Sequence, residues 1–168
     1  DGTTAGQKIN LEVQGQTRPF RPDTVLASSW CQPDQAVLSH DGKTWQQTIK
    51  AERTADKVAV YQVQAEGPSL WLAWGPPFVP ATAESALAGV KAKLGKEAER
   101  FELAKTRDGR PVSGIRIGKP NAPRQVWVNA RQHAWEAGGA WVGRGFVEWL
   151  ASAEAQGFRK RCCVHFIP

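Results

Sequence analysis

His133 and Glu136 are the residues whose types and spacing best suit metal chemistry. They lie three positions apart, so that within one turn of chain both side chains can face the same point. An imidazole and a carboxylate are both zinc ligands, and a catalytic zinc keeps three protein ligands and one water. The metal makes that water a stronger nucleophile near neutral pH and polarises the carbonyl under attack. The pair therefore predicts part of a hydrolytic zinc site.

A structural role is the competing interpretation of the same pair, and spacing alone favours it because H-x-x-E often arises by chance. Glu136 would then lie near the positive end of a helix dipole, and His133 would form a hydrogen bond within a loop. The surrounding sequence favours the metal site. A strand is predicted before the pair and an amphipathic helix after it, and the ligand crevices of open α/β sheets lie at the carboxyl ends of strands.

Three further residues could take part in chemistry, and each has a simpler interpretation. Arg131 precedes His133 by two positions and could orient the loop or contact substrate, but a structural salt bridge is the expected role. His40 precedes an Asp-Gly turn and is expected on a surface loop. His165 alternates with apolar residues in the last predicted strand, so we expect it to be packed or hydrogen-bonded rather than a third metal ligand.

The elements around the pair predict an α/β unit. QVWVNA, residues 125–130, is β-branched and apolar like a central strand covered on both faces. A helix is predicted from Gly139 to a stop at Gly157, with an apolar stripe formed by Trp141-Val142, Gly145-Phe146 and Trp149-Leu150. CCVHFI, residues 162–167, is predicted as a buried central strand. The tryptophans at 127, 141 and 149 have core-like spacing, so packing is their expected role.

The first half of the chain differs in pattern. Short alternating runs between residues 9 and 74, with an Asp-Gly turn at 41–42, predict a small antiparallel β-sandwich. The rigid connector GPPFVP follows at 75–80, and Thr82 is a candidate cap for a helix reaching Leu94. Strands are also predicted at 101–103 and 115–117. We therefore predict two domains, a β-sandwich over 1–78 and the start of an α/β domain over 79–168.

Composition excludes several classes of protein. Of 168 residues, 41% are apolar and 23% charged, which is typical of globular domains. No apolar run approaches the ~18 residues of a membrane span. The net charge of +6 is dispersed, with a tight run only at residues 159–161, so nucleic-acid binding is the weakest hypothesis. Cys31, Cys162 and Cys163 form no C-x-x-C motif and support neither a disulfide framework nor a cysteine zinc site.

The segment ARQHAWEAGGAWVGRGFVEWL, residues 130–150, resembles the zinc-binding segment of zinc metallocarboxypeptidases. The resemblance is to the subfamily of cytosolic-type carboxypeptidases and their bacterial relatives. Their first zinc motif usually reads R-Q/V-H-P-G-E, whereas this sequence has Ala134-Trp135 where Pro-Gly is common. Three earlier segments resemble that subfamily's N-terminal β-sandwich and its junction with the catalytic domain, so the resemblance covers 37–168: SHDGKTW (39–45), LWLAWGPPF (70–78) and RDGRPVSGIRI (107–117).

The resemblance implies a β-sandwich followed by the start of a mixed-sheet α/β catalytic domain that is truncated. It makes His133 and Glu136 the first two ligands of Zn²⁺. The third ligand, the residues that bind the substrate carboxylate and the general-base Glu lie downstream in the family, so no catalytic residue is expected in this chain. The complete enzyme would use zinc-activated water to hydrolyse the C-terminal peptide bond of a peptide or protein.

A different class of function stays open at this point. The Trp-rich sandwich could belong to a non-catalytic binding protein for protein or glycan. The compartment is also undecided. A polar start without Met favours the periplasm or secretion, which is the prediction, whereas cytosolic relatives and the lack of paired cysteines favour the cytoplasm.

Overall fold

The computed structural model describes residues 2–14, 32–54 and 58–168. The chain divides into two units, Asp1–Pro76 and Pro77–Pro168. Within the described ranges, no helix is both long and apolar enough to cross a lipid bilayer. Cys31, one of the three cysteines considered above, lies outside the described residues.

The described part of the first unit contains short antiparallel strands in two sheets. One sheet has the order β1-β5-β4 and the other the order β3-β2-β6. Their bounds are β1 Lys8–Gln14, β2 Val37–Ser39, β3 Gln46–Gln47, β4 Glu52–Arg53, β5 Val58–Gln64 and β6 Trp71–Ala73. In β5, alternate residues are buried, as the period of a half-buried strand requires. Ala59 and Tyr61 of this strand form a small core with Ala36, against which Leu72 of the other sheet packs.

The Asp-Gly turn predicted between two of these strands is present. The strands pair with Val37 opposite Gln47. Between them, the carboxylate of Asp41 accepts hydrogen bonds from the backbone N–H groups of Lys43 and Thr44, each at 2.7 Å. These amides hold the pKa of Asp41 well below its ordinary value. The turn is therefore fixed by a charged side chain as well as by the glycine.

The second unit is a four-stranded mixed sheet with helices packed on one face. Its elements are α1 Pro80–Leu94, a 3₁₀ turn at Gly95–Glu97, β7 Ala98–Lys105, β8 Pro111–Ile117, β9 Arg124–Asn129, α2 Ala137–Leu150, α3 Gln156–Arg159 and β10 Cys162–Ile167. The strand order is β7-β8-β10-β9, with β9 and β10 parallel and the other pairs antiparallel. The predicted fold class, an antiparallel β part followed by a mixed-sheet α/β part, is confirmed.

One face of this sheet forms the main core with α1 and α2. It is made of alternate strand residues and of the apolar sides of the two helices: Leu87, Val90, Ile115, Ile117, Val147, Leu150, Val164 and Phe166. Gly143 permits the close approach of α2, since an added Cβ would lie 2.3 Å from the Cβ of Ala130. Cys162 and Cys163 are buried in β10, as predicted.

The two predicted helix ends need correction. Thr82 does not cap α1, which begins two residues earlier with Pro80 at its first position, where a proline's fixed φ suits a helix. The helix at the pair does not continue to Gly157. α2 ends at Leu150, because the buried guanidinium of Arg159 donates to the carbonyls of Leu150 and Ser152, each at 2.7 Å.

The predicted apolar stripe of α2 is confirmed only in part, since Leu150 is buried and Phe146 packs against the core but other members lie elsewhere. The residues buried against the sheet are Ala140, Gly143, Val147 and Leu150. Val142, assigned to the stripe, is 75% exposed, because the buried side of α2 passes through Gly143 and Val147 instead. Among the tryptophans, Trp149 is exposed, while Trp141 packs edge-on against Phe78 at 5.2 Å between ring centroids.

Among the described residues, the segment 125–130 does not take the central position that was predicted for it. β9 lies at the edge of the sheet, and among the described residues no strand pairs with its outer side. Trp127, expected in the core, points to the sheet face opposite the helices and is 59% exposed. The predicted central position of residues 162–167 is confirmed, because β10 lies between β8 and β9.

Candidate metal centre

The candidate site is the loop of residues 130–136, which connects the carboxyl end of β9 to the start of α2. Ala130 continues the pairing with β10 by donating its N–H to the carbonyl of Ile167 at 2.9 Å. Gly139 lets the first turn of α2 approach this strand end, since an added Cβ would lie 2.8 Å from the carbonyl oxygen of Ala130. The loop is therefore anchored at both ends by the parallel β9–α2–β10 crossover.

His133 and Glu136 lie together in this loop. The Nδ1 atom of His133 is 2.7 Å from Oε1 of Glu136. The other carboxylate oxygen accepts the backbone N–H groups of His133 at 3.0 Å and Gln132 at 3.3 Å. The bond with the His133 side chain, followed by these amides, lowers the pKa of Glu136, so the group is anionic near neutral pH. The predicted convergence of the two side chains is present in the structure.

The same contact agrees with both interpretations of the pair. Glu136 directly precedes the first residue of α2, and His133 forms a hydrogen bond within a loop, as a purely structural role requires. Both side chains are also accessible, with 55% of His133 and 40% of Glu136 exposed, as a shared ligand pair requires. Zinc binding by the pair therefore stays a prediction.

The geometry fits two positions of a zinc site. Ligands at zinc distances of ~2.0–2.1 Å in tetrahedral geometry are about 3.3 Å apart. The observed 2.7 Å between Nδ1 and Oε1 would need to open by only a few tenths of an ångström, and neither side chain is buried. Within the described ranges, no group of three or more histidine, cysteine or acidic residues is placed to hold a metal.

Arg131 supports the loop through backbone carbonyls rather than through the expected salt bridge. Its Nε donates to the carbonyl of His133 at 3.2 Å, and its Nη1 donates to the carbonyl of Phe78 at 2.9 Å. Its Nη2 donates to the carbonyl of Ala134. Among the described residues no carboxylate is paired with it. These contacts are those of a loop-orienting residue, and a role in substrate binding stays a prediction.

Trp135 is a residue of the loop whose importance sequence reasoning missed. Its indole lies parallel to the imidazole of His133, with 5.3 Å between ring centroids and 7° between ring planes. Trp135 is 71% exposed, so it is not part of the core. The available signal was a tryptophan two residues after a candidate ligand, where the resembling family commonly has glycine.

His165 is packed and hydrogen-bonded, as predicted. Its ring stacks on Trp127 of the neighbouring strand at 4.3 Å between centroids, and its Nε2 is 3.0 Å from Oε1 of Gln125. Burial, with a smaller contribution from the charge of Arg116, lowers the pKa of His165. The residue therefore belongs to a polar-aromatic cluster on the open sheet face.

His40 lies in the loop after β2, as predicted, but its side chain is largely covered. Only 17% of its side chain is exposed, and its Nε2 lies 3.8 Å from a carboxylate oxygen of Glu66.

Comparison with solved structures gives the fold of the chain independently. A metallo-carboxypeptidase from Burkholderia cenocepacia superposes with a TM-score of 0.79 at 24% identity, over 99% of this chain and 44% of that one. For a putative carboxypeptidase A from Shewanella denitrificans the TM-score is 0.80 at 20% identity, over 99% of this chain and 43% of that one. A metallo-carboxypeptidase from Pseudomonas aeruginosa gives 0.70 at 21% identity, over 99% and 46%. The chain thus spans less than half the length of these proteins.

Sequence comparison identifies the family. A search of curated proteins gave no match. The sequence profile of the zinc carboxypeptidases matches residues 83–168. These residues include the candidate pair, all four strands of the mixed sheet and α1 without its first three residues. The subfamily predicted above is not distinguished by this match. With just over half of its residues matched, the chain belongs to the zinc carboxypeptidase family.

Proposed function

We propose that this chain supplies two zinc ligands, His133 and Glu136, to a metallocarboxypeptidase that removes C-terminal residues from peptides or proteins. The observation that carries the proposal is the 2.7 Å contact between Nδ1 of His133 and Oε1 of Glu136. It occurs at the carboxyl end of β9, where ligands of α/β sheets bind. Membership of the zinc carboxypeptidase family gives this contact its chemical meaning.

The residues of this chain would bind and orient rather than transfer protons. Bound zinc supplies a polarised water and a Lewis acid for the attacked carbonyl. The backbone amides of Gln132 and His133 hold the carboxylate of Glu136 in one orientation and keep it ionised. Arg131 fixes the loop on which the imidazole is carried. Such outer contacts tune the affinity of metal ligands.

The proposal includes a third zinc ligand and a general base from polypeptide outside this sequence. A catalytic zinc has three protein ligands, and the described residues bring two together. The similar solved structures are more than twice as long, since the chain covers 44% of the first. The outer edge of β9, unpaired among the described residues, and the exposed Trp127 and Leu103 support the same inference, because a larger domain would cover them.

Zinc binding by single-site variants tests the proposal. Zinc is titrated into the 168-residue chain by calorimetry, with wild type, His133→Ala and Glu136→Gln compared. We expect both substitutions to abolish the same binding event, because each removes one ligand of a site that has only two. His165→Ala is the matched control, since this histidine is also partly exposed and hydrogen-bonded but lies on the open sheet face. Equal zinc binding by wild type and His133→Ala would contradict the proposal.

A further inference from the structure

We propose that Trp135 is a positioning residue that holds the imidazole of His133 in the orientation needed to bind zinc. This inference rests on the proposed function, and it goes further by giving a role to a position where the resembling family commonly has glycine. The observation behind it is the parallel stack of the two rings, with 5.3 Å between centroids and 7° between planes.

Core packing does not explain this tryptophan. Trp135 lies in the loop before α2 with most of its surface in solvent, so burial of its indole contributes little to folding. Trp141 shows the contrast, because it packs edge-on against Phe78 within the same unit. An exposed indole that lies flat on one accessible imidazole mainly restricts that imidazole.

The loop backbone is already fixed by other residues. Arg131 donates to the carbonyls of His133 and Ala134. The carboxylate of Glu136 accepts the backbone N–H of His133 at 3.0 Å. What remains to be fixed is the rotation of the imidazole about its side-chain bonds. Two contacts restrict that rotation, the bond from Nδ1 to Glu136 and the stack on Trp135.

The two contacts would respond differently to a bound metal. If Nδ1 of His133 and Oε1 of Glu136 were the ligand atoms, their direct hydrogen bond would be lost. The stack lies on the face of the imidazole and leaves both ring nitrogens accessible at the edge. Trp135 therefore keeps the ring in place in both states, which reduces the entropy lost on binding.

Nuclear magnetic resonance of the imidazole C–H groups tests the stack without metal. The chain has three histidines, so their signals can be assigned with His→Ala variants. We expect Trp135→Ala to move the His133 signals downfield, because the indole ring current is removed. Trp127→Ala is the matched control, since it removes an exposed indole stacked on His165 and should move only the His165 signals.

Zinc titration followed at the same signals tests the role. An aromatic pair contributes enough free energy that its loss should weaken zinc binding by about three- to tenfold. We expect this weakening in Trp135→Ala, no change in Trp127→Ala, and recovery of most of the affinity in Trp135→Phe, which keeps a ring that can stack.

The outcomes separate the two proposals. If Trp135→Ala binds zinc as tightly as wild type while His133→Ala does not bind it, the positioning role is wrong and the proposed function stands. If the His133 signals of the wild type do not change on addition of zinc, the positioning role and the proposed function are both overturned. The metal-free spectra would then show only that the two rings stack. Failure of Trp135→Phe to recover affinity would also contradict positioning by stacking.

Discussion

The two faces of the mixed sheet, built from the same strands, have opposite surroundings. In β10, Val164 and Phe166 are fully buried beneath α1 and α2, whereas His165 between them faces the open side. There it stacks on Trp127, which is mostly exposed. The alternation of side chains along a strand thus assigns residues to two faces of the sheet, but it does not tell which elements cover each face. The covering elements are helices and chain segments that are distant in sequence.

The open face carries exposed apolar side chains of the kind that other polypeptide usually covers. Trp127 and Leu103 are exposed there, and Phe101 contacts both Trp127 and His165 edge-on. A soluble protein rarely leaves such apolar groups together without a partner. The similar solved structures are more than twice the length of this chain, so they contain polypeptide for such cover.

The largest expected difference in stability is between two single variants, each of which truncates one aromatic residue on one face of the sheet. Phe166→Ala should lower the free energy of unfolding by about 3–5 kcal/mol, since a buried ring is lost and a cavity remains. Trp127→Ala on the open face should cost about 1 kcal/mol or less, because its ring stays largely hydrated. Urea unfolding followed at the β10 amide signals measures both. Equal losses would show that the open face is as important for stability as the helix-covered one.

The next largest loss of stability is expected when the contacts at the end of α2 are removed. Arg159 is buried and donates to two carbonyls at the end of α2 and to a carboxylate oxygen of Glu97 at 3.0 Å. Arg159→Ala should cost about 2–4 kcal/mol, because buried carbonyls lose their partners. Arg144→Ala is the control, since its exposed pair with Glu148 contributes only about 0.5 kcal/mol. Similar losses in the two variants would argue against this cap.

The smallest expected effect is the pH dependence contributed by the open face. Burial lowers the pKa of His165 in the folded chain. As pH falls through its ordinary value of about 6.5, the unfolded chain takes up a proton that the folded chain resists, so stability is lost. His165→Gln should therefore flatten the stability profile between neutral and mildly acidic pH. Trp127→Ala should flatten it partly by rehydrating the ring, and an unchanged profile in both variants would contradict this burial.

Local patterns in the sequence were sufficient for much of the fold. The alternation in β5, the Asp-Gly turn at Asp41 and the central position of β10 all follow from features within a few residues. The complete buried side of α2 did not follow, because it includes the small residues Ala140 and Gly143, whereas the apolar Val142 is exposed. The edge position of β9 is likewise decided by which strands lie beside it, which its own apolar sequence does not encode.

The candidate site shows the same division between local and distant information. A spacing of three residues was enough to predict that His133 and Glu136 meet, since the loop is short. The carbonyl contacts of Arg131 and the stack of Trp135 depend on how the loop folds back on itself and on Phe78. Neither could be predicted from composition, because both residues also suit solvent-exposed positions.

X-ray absorption at the zinc edge of the zinc-loaded chain tests the central claim most directly, because it reports which atoms bind the metal. The account expects nitrogen and oxygen scatterers at about 2.0–2.1 Å, with an imidazole signature that disappears in His133→Ala. A competing pair exists on the open face, where Sγ of Cys163 lies 3.8 Å from Nε2 of His165. A sulfur scatterer at about 2.3 Å that persists in His133→Ala would contradict the claim.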